Sequence, residues 1–396
     1  MKELAARLRS ELENDILKYW IENTCDPKGG FLGRIDGLGN VVPGEPKGAI
    51  LCARILWTFS QAYRLFGRKE YLAMAERAKR EIIDRFYDPD YGGIYWSLDA
   101  EGRSLDTKKQ IYAIGFGIYG LSEFARATGD GEALDYAVRL FHDIQAHSYE
   151  PEFGGYLEAF ARDWSPLADM RLSEKDRNDV KTMNTHLHII EPYTNLYRVW
   201  PDATLREAIK GLLGTFRDRI LRSDGHLGLF FTNEWESTSE VYSYGHDIEA
   251  SWLLWEAAEV VGCDDENWRK LCLKIADAAL EGFSNGLVYE KDLTTGKVDG
   301  DRHWWVQAEC VVGCINAWQL SGERYYLDTA VEAWEYISSH IIDRVKGEWY
   351  WSAHANGTPN TTDDKAGFWK CPYHNGRMCM EIIQREAICS SSQGRR

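Results

Sequence analysis

Three of the ten histidines in this 396-residue chain, His188, His246 and His374, fall at matching places in stretches that are otherwise apolar. Histidine is the side chain whose ordinary pKa lets a proton be both taken and given near neutral pH. A single histidine inside a core is more commonly a hydrogen-bonded structural residue than a catalyst. Three in equivalent positions argue for use, because buried ionisable groups are costly unless paired or employed and they cluster at functional sites. Each has polar or aromatic company. Asn184 precedes His188, Glu249 and Trp252 follow His246, and Trp369 precedes His374. Three further apolar stretches carry Arg54, Tyr112, and Trp305 with Glu309 in the corresponding places.

Helical spacing, at about 100° per residue, sorts these residues by face. Asn184 and His188 are four apart and share one. His186 and His188 are two apart, roughly 200° round the helix, so they do not form a metal pair. Glu249 lies one turn from His246, where it is placed to orient the imidazole or hold its charge. Trp305 and Glu309 share a face in the same way. His142, His147, His226, His340 and His354 fall on outer helices or in loops, and His303 flanks Trp304 at the border of the expected pocket.

These residues need a scaffold that brings six separate stretches together, and the sequence contains one as a repeat. A turn, a glycine and alternating aromatic or aliphatic residues recur at Gly29-Gly30-Phe31-Leu32, Gly92-Gly93-Ile94-Tyr95-Trp96 and Gly154-Gly155-Tyr156-Leu157. Weaker copies are Gly228-Leu229-Phe230-Phe231, Gly286-Leu287-Val288-Tyr289 and Gly347-Glu348-Trp349-Tyr350. Each has the turn chemistry of a short β-hairpin. The longest interval holds a polar segment, residues 162–181, read as an inserted loop. An amphipathic, charged helical pattern precedes each copy, as in residues 71–86. A helix apolar nearly all round follows it, as in residues 111–124 and 306–318. Six exposed and six buried helices in alternation predict an all-α fold, an (α/α)6 barrel with the hairpins at one end. The starts of the buried helices then converge on one pocket. An open α-solenoid has the same alternation but gives no reason for polar residues on its most buried helices. No Pro/Ser-rich linker interrupts the copies, so residues 1–389 read as a single catalytic domain and 390–396 as a disordered tail.

Composition narrows the function. Acidic residues outnumber basic ones by 62 to 46, for a net charge of −16, which argues against a nucleic-acid partner. No run of 18 apolar residues suggests a membrane span, and no basic segment leads into an apolar one as a signal peptide would. Nine cysteines, an odd number with no C-x-x-C, read as small core residues of a cytoplasmic chain.

Four motifs together resemble the N-acylglucosamine 2-epimerase superfamily, and within it the cellobiose 2-epimerases. They are Met183-Asn184-Thr185-His186-Leu187-His188, Gly245-His246-Asp247-Ile248-Glu249-Ala250-Ser251-Trp252, Trp304-Trp305-Val306-Gln307-Ala308-Glu309 and Trp369-Lys370-Cys371-Pro372-Tyr373-His374. Any one is weak; the combination is specific, and the hairpin-and-helix order is similar to about Cys389. The resemblance implies an (α/α)6 barrel that epimerises a reducing-end glucose to mannose without metal or nucleotide cofactor. It implies His246 and His374 as the acid–base pair and His188 as a third essential histidine. Arg54, Tyr112, Asn184, Glu249, Trp252, Trp305, Glu309 and Trp369 would position a small-molecule sugar such as cellobiose, lactose or mannobiose. Monomer and dimer remain equally open, and degradation of mannan or cellulose oligosaccharides is the implied setting.

That chemistry fits the residues. Inverting C2 of an aldose means opening the ring, removing the proton beside the carbonyl and returning one from the other face, which two imidazoles on different helices can do. Other readings stay open from sequence. One is epimerisation or aldose–ketose isomerisation of a monosaccharide such as mannose, glucose or N-acetylglucosamine. Another is glycoside hydrolysis by Glu249 and Glu309, which needs two carboxyls flanking a bond, about 6.5–9.5 Å apart for inversion. A third is a non-catalytic sugar binder.

Overall fold

In the computed structural model, residues 1–393 are described, with side chains to Cys389. Twelve helices alternate between two layers. The inner ones are α2 (Ala49–Phe66), α4 (Ile111–Thr128), α6 (Met183–Tyr197), α8 (Tyr244–Val261), α10 (Trp304–Ser321) and α12 (Tyr373–Gln393). The outer ones are α1 (residues 2–23), α3 (69–86), α5 (Gly131–His147), α7 (203–220), α9 (Glu266–Leu280) and α11 (324–341). Each inner helix packs against the next, and α12 packs back against α2. The ring is therefore closed, and the solenoid alternative falls. The last helix runs to Gln393, four residues into the segment expected to be a tail, while residues 394–396 lie outside the described residues. No helix of the described residues is long and apolar enough to cross a membrane.

Local chemistry explains the layers. Inner helices are buried nearly throughout, Ile111 to Ala125 without a break in α4. Outer helices bury one stripe, such as Ala133, Ala137, Leu140, Phe141 and Ile144 in α5. Four outer helices contain a five-residue π turn, and those of α3, α7 and α11 end on it. Nothing in the spacing of apolar residues foretold these wider turns.

All six glycine-marked copies form hairpins, bridged at Cys25–Phe31, Tyr87–Ile94, Tyr149–Tyr156, Leu221–Leu227, Phe283–Leu287 and Ile342–Trp349. They lie at the N-terminal end of the inner helices. The strand entering each inner helix pairs with the strand leaving the next hairpin, as Gly48 with Ser97, Gln110 with Ala159, Thr182 with Phe230, Ser243 with Glu290 and His303 with Ser352. An Ile35–Ala366 bridge closes the circle.

A second repeat, invisible as periodicity, fixes this end. The acid opening a hairpin turn binds a buried lysine two residues ahead of the next inner helix. Lys47 Nζ lies 2.6 Å from Asp26, and Lys109 Nζ 2.8 Å from Asp88. Near α12, Lys370 Nζ is 2.7 Å from Glu348, with both side chains fully enclosed. Glu348 also receives the Trp20 indole and the Asn375 amide. Replacing Lys370 with Met should cost about 3–5 kcal/mol, because it leaves a buried carboxylate without its cation. Denaturant unfolding measures this, and an unchanged midpoint would show that the clamp is dispensable.

Candidate active site

The inner helix starts converge as the spacing required. Their N-terminal halves pack closely: a Cβ on Gly115 would run into the His188 carbonyl oxygen, so glycine lets α4 approach α6 at His188. Gly115→Ala should push the helices apart, at about 1–3 kcal/mol of strain. A displacement of His188 near 1 Å would lower kcat on the order of 10²-fold. Full activity in a normally folded Gly115→Ala protein would show that this contact is not critical.

The three histidines share one arrangement. His246 Nδ1 is 2.7 Å from the Ser243 hydroxyl, His188 Nδ1 is 2.9 Å from Glu191 Oε2, and His374 Nδ1 is 2.7 Å from Glu309 Oε1. Each ring is held through Nδ1, which leaves Nε2 as the atom for other business. His188 Nε2 has Glu249 Oε2 at 3.9 Å, beyond hydrogen-bond range. Both His246 and His374 lie against Trp305, with ring centroids 4.8 and 5.6 Å away. The two therefore meet the same indole.

Burial favours the neutral form of all three imidazoles. One edge of the half-buried His246 ring opens to the cavity, but the surrounding protein strips most of its water and pushes its pKa down to about 3. His374 is pushed well below its usual range by burial first and then by the Arg54 and Arg377 guanidiniums. His188 is lowered by burial, against the pull of Glu191.

Arg54 forms the adjoining wall. Its Nη2 donates to the Tyr112 hydroxyl at 2.7 Å, and its guanidinium lies 4.2 Å from the Phe116 ring centre. Tyr112 stands edge-on to His188 at 4.9 Å and 6.1 Å from Trp369. Several polar atoms here are buried without a protein partner: Arg54 Nε, Asn184 Oδ1 and Glu249 Oε2. Unsatisfied polar groups are rare inside native proteins and mark sites that wait for a ligand.

Asn184 and His246 line a cavity of about 110 Å³ that opens towards solvent. Its opposite wall is the inserted loop, through Met170, Arg171, Leu172 and Asp176, and Tyr289 borders it. The loop 162–181 is therefore part of the pocket rim. His303 stacks on Tyr289 at 4.4 Å, one step outside. Glu158 lies beneath Asn184, accepting from the Thr182 amide and the Thr185 hydroxyl, and burial pushes its pKa up to about 8.

Three expectations change. Glu249 does not hold His246; the Ser243 hydroxyl does, because it precedes α8 by one residue and lies a turn before the ring. Glu249 turns instead towards α12, where its Oε1 accepts from Arg377 Nη2 at 2.6 Å. Trp252 is 1% exposed and gives its indole N–H to Glu309 at 3.0 Å, so it braces the site from behind and has no face for a sugar. Glu309, fully enclosed, accepts from His374, Arg377 and Trp252 and likewise works through His374. His186, as expected, faces away: its Nε2 accepts the Tyr156 amide and its Nδ1 binds the Thr182 carbonyl.

The hydrolase alternative fails on this geometry. Glu249 and Glu309 share one guanidinium nitrogen of Arg377, at 2.6 and 2.7 Å, and with His374 their ligating atoms lie within 4.8 Å of one another. They are too close together and too deeply buried to flank a glycosidic bond. The guanidinium also fills the place a cation would take between them.

Sequence reading missed Arg377, Glu191, Tyr373 and Ser243. Arg377 and Tyr373 had a signal, since both lie within one turn of His374 on an inner helix. Glu191 stands three after His188, a spacing that was weighed elsewhere but not there.

A closed helical ring with three imidazoles and an arginine at one end suits proton transfer, and its relatives make it a carbohydrate epimerase, an enzyme of the isomerase class. The N-acylglucosamine 2-epimerase (GlcNAc 2-epimerase) family profile matches residues 30–376, and the chain belongs to that family. It is 58% identical over 386 residues to the cellobiose 2-epimerase of Bacteroides fragilis, covering 96% of this chain and 98% of that protein. It is 42% identical over 390 residues to the cellobiose 2-epimerase of Ruminococcus albus, with 96% and 99% covered. The solved structure of cellobiose 2-epimerase from Bacillus thermoamylovorans superposes with a TM-score of 0.94 at 40% identity, covering 97% of this chain and all of that one.

Proposed function

We propose that this enzyme epimerises C2 of the reducing-end glucose in β-1,4-linked disaccharides, turning cellobiose into 4-O-β-D-glucosyl-D-mannose, with lactose and mannobiose as further substrates. The relatives named above support the substrate class. The observation that carries the chemistry is the common orientation of the three histidines, each tied back through Nδ1 and presenting Nε2.

After the ring opens with help from His374, the aldehyde at C1 makes the C2 proton acidic and takes up the electron pair when that proton leaves. One imidazole removes it. The resulting enediolate carries its charge on oxygen, where Arg54 and His188 stabilise it through preorganised charge and hydrogen bonds. The other imidazole, which must hold a proton on Nε2 when the sugar is bound, returns it to the opposite face of C2, and the two exchange roles in the reverse direction. Their surroundings suit different starting states. Glu309 behind His374 offsets a proton placed on that ring, while His246 has only a serine hydroxyl behind it and works from its neutral form. The carbonyl supplies the electron sink, so no step calls on a cofactor. Trp305 and Trp369, both half-buried, are left to stack on sugar faces. The buried thiols Cys52, Cys272, Cys310, Cys314, Cys371 and Cys379 fit a cytoplasmic enzyme.

Incubation with cellobiose, lactose, mannose and N-acetylmannosamine, read by product chromatography, tests the reading. Glucosyl-mannose from cellobiose is the expected product. Turnover confined to the monosaccharides would replace the substrate assignment, and monosaccharide released from cellobiose would replace the reaction.

A further inference from the structure

Arg377 is 1% exposed and stands at the centre of the polar network under the pocket. Its Nη1 donates to Glu191 and to the Tyr373 hydroxyl. Its Nη2 donates to Glu249 Oε1 at 2.6 Å and Glu309 Oε1 at 2.7 Å. Three carboxylates from α6, α8 and α10 thus meet one guanidinium from α12. Two of them are the carboxylates that hold catalytic rings: Glu191 holds His188, and Glu309 holds His374.

We propose that Arg377 is the positioning residue of the site, a single forked cation that keeps both imidazole–carboxylate pairs in the form with Nδ1 protonated and Nε2 open to the sugar. The catalytic meaning of this role rests on the epimerase reading above; the proton placement itself does not.

Charge balance gives the argument a sign. Three carboxylates at this depth would repel one another, and an uncompensated one would take up a proton or draw one onto the nearest imidazole. Glu249 already sits close to that limit, since burial and then the Glu309 charge push its carboxyl well up. The groups facing His188 are Glu191 on its own helix, Glu249, Arg54, Tyr112, Arg377, His246 and His374. Those facing His374 are Glu309, Glu249, Arg54, Arg377, His188 and Glu191. Removing the Arg377 charge leaves Arg54 as the one cation against three acids, so the imidazoles become easier to protonate. Lysine restores the charge, but not the planar fork that bridges three partners at fixed angles.

The test reads the imidazoles directly. Nitrogen–proton spectra of the histidine rings in the intact protein, from about pH 5 to 8 where an ordinary histidine titrates, report tautomer and charge without substrate. In the wild type, His188 and His374 are expected to stay neutral and Nδ1-protonated throughout. In Arg377→Met, at least one should titrate within that window, and the acid limb of kcat/KM should move to higher pH. In Arg377→Lys, both should stay neutral, but at least one should lose the pure Nδ1–H signature, with kcat falling more than KM changes. Unaltered tautomers and titration in Arg377→Met would overturn the proposal. Should that variant fail to fold, an Arg377→Lys protein with wild-type ring spectra would overturn it equally. Failure of the wild type to turn over cellobiose would count against the substrate assignment and leave the spectra to judge Arg377.

Discussion

Alanine at His246 or at His374 is expected to abolish epimerisation of a substrate disaccharide at C2. A positioned general acid or base typically contributes about 10²–10⁴-fold, and epimerisation needs one on each face of C2. Neither ring has a substitute. The hydroxyl behind His246 belongs to Ser243, whose pKa lies far above neutrality, and the carboxylate behind His374 is fully enclosed and already shared with Arg377 and Trp252. Neither substitution should unfold the chain, since His246 edges the cavity and His374→Ala leaves Glu309 with two of its three donors. Chromatographic separation of the two epimers measures the result. Persistent epimerisation in either variant would refute the two-imidazole scheme.

Glu309→Gln should be nearly as damaging while changing the shape of the side chain very little. Glu309 accepts three hydrogen bonds in a site closed to water, from His374 Nδ1 at 2.7 Å, Arg377 Nη2 at 2.7 Å and Trp252 Nε1 at 3.0 Å. The amide turns one acceptor into a donor facing donors and removes the charge that offsets a proton on His374. Where its nitrogen faces the ring, His374 must turn or move its proton to Nε2, the atom meant for the sugar. Where an amide replaces the carboxylate that orients a catalytic histidine, the loss in kcat is on the order of 10⁴. Stability should fall as well, by about 1–3 kcal/mol for the unsatisfied buried donor. Steady-state kinetics together with denaturant unfolding separate the two effects. A kcat close to wild type would show that Glu309 does not set the state of His374.

The barrel was legible because its signals are local. Glycine-marked turns recur about every sixty residues, and apolar residues at helical spacing separate inner from outer helices without reference to any distant residue. The same reasoning put Asn184, His188 and His246 at one end of the ring and turned His186 away from it, since face and position along a helix follow from counting. Counting failed where a partner was chosen across helices. Glu249 is one turn from His246 in sequence but reaches Arg377, 128 residues away, and Arg377 reaches Glu191 across 186. The resemblance assigned Trp252 to positioning the sugar, yet its depth on α8 seals it against Glu309.

What the amino-acid order determined alone is therefore the closed ring and the end of it where imidazoles gather. The tertiary structure decided which atom of each imidazole is free, which carboxylates serve histidines, and that one guanidinium joins them. The physical reason is that helix faces are set by backbone geometry within a turn, whereas a hydrogen bond between helices depends on how far each is rotated and shifted against its neighbour. That setting is reached only when the whole core packs.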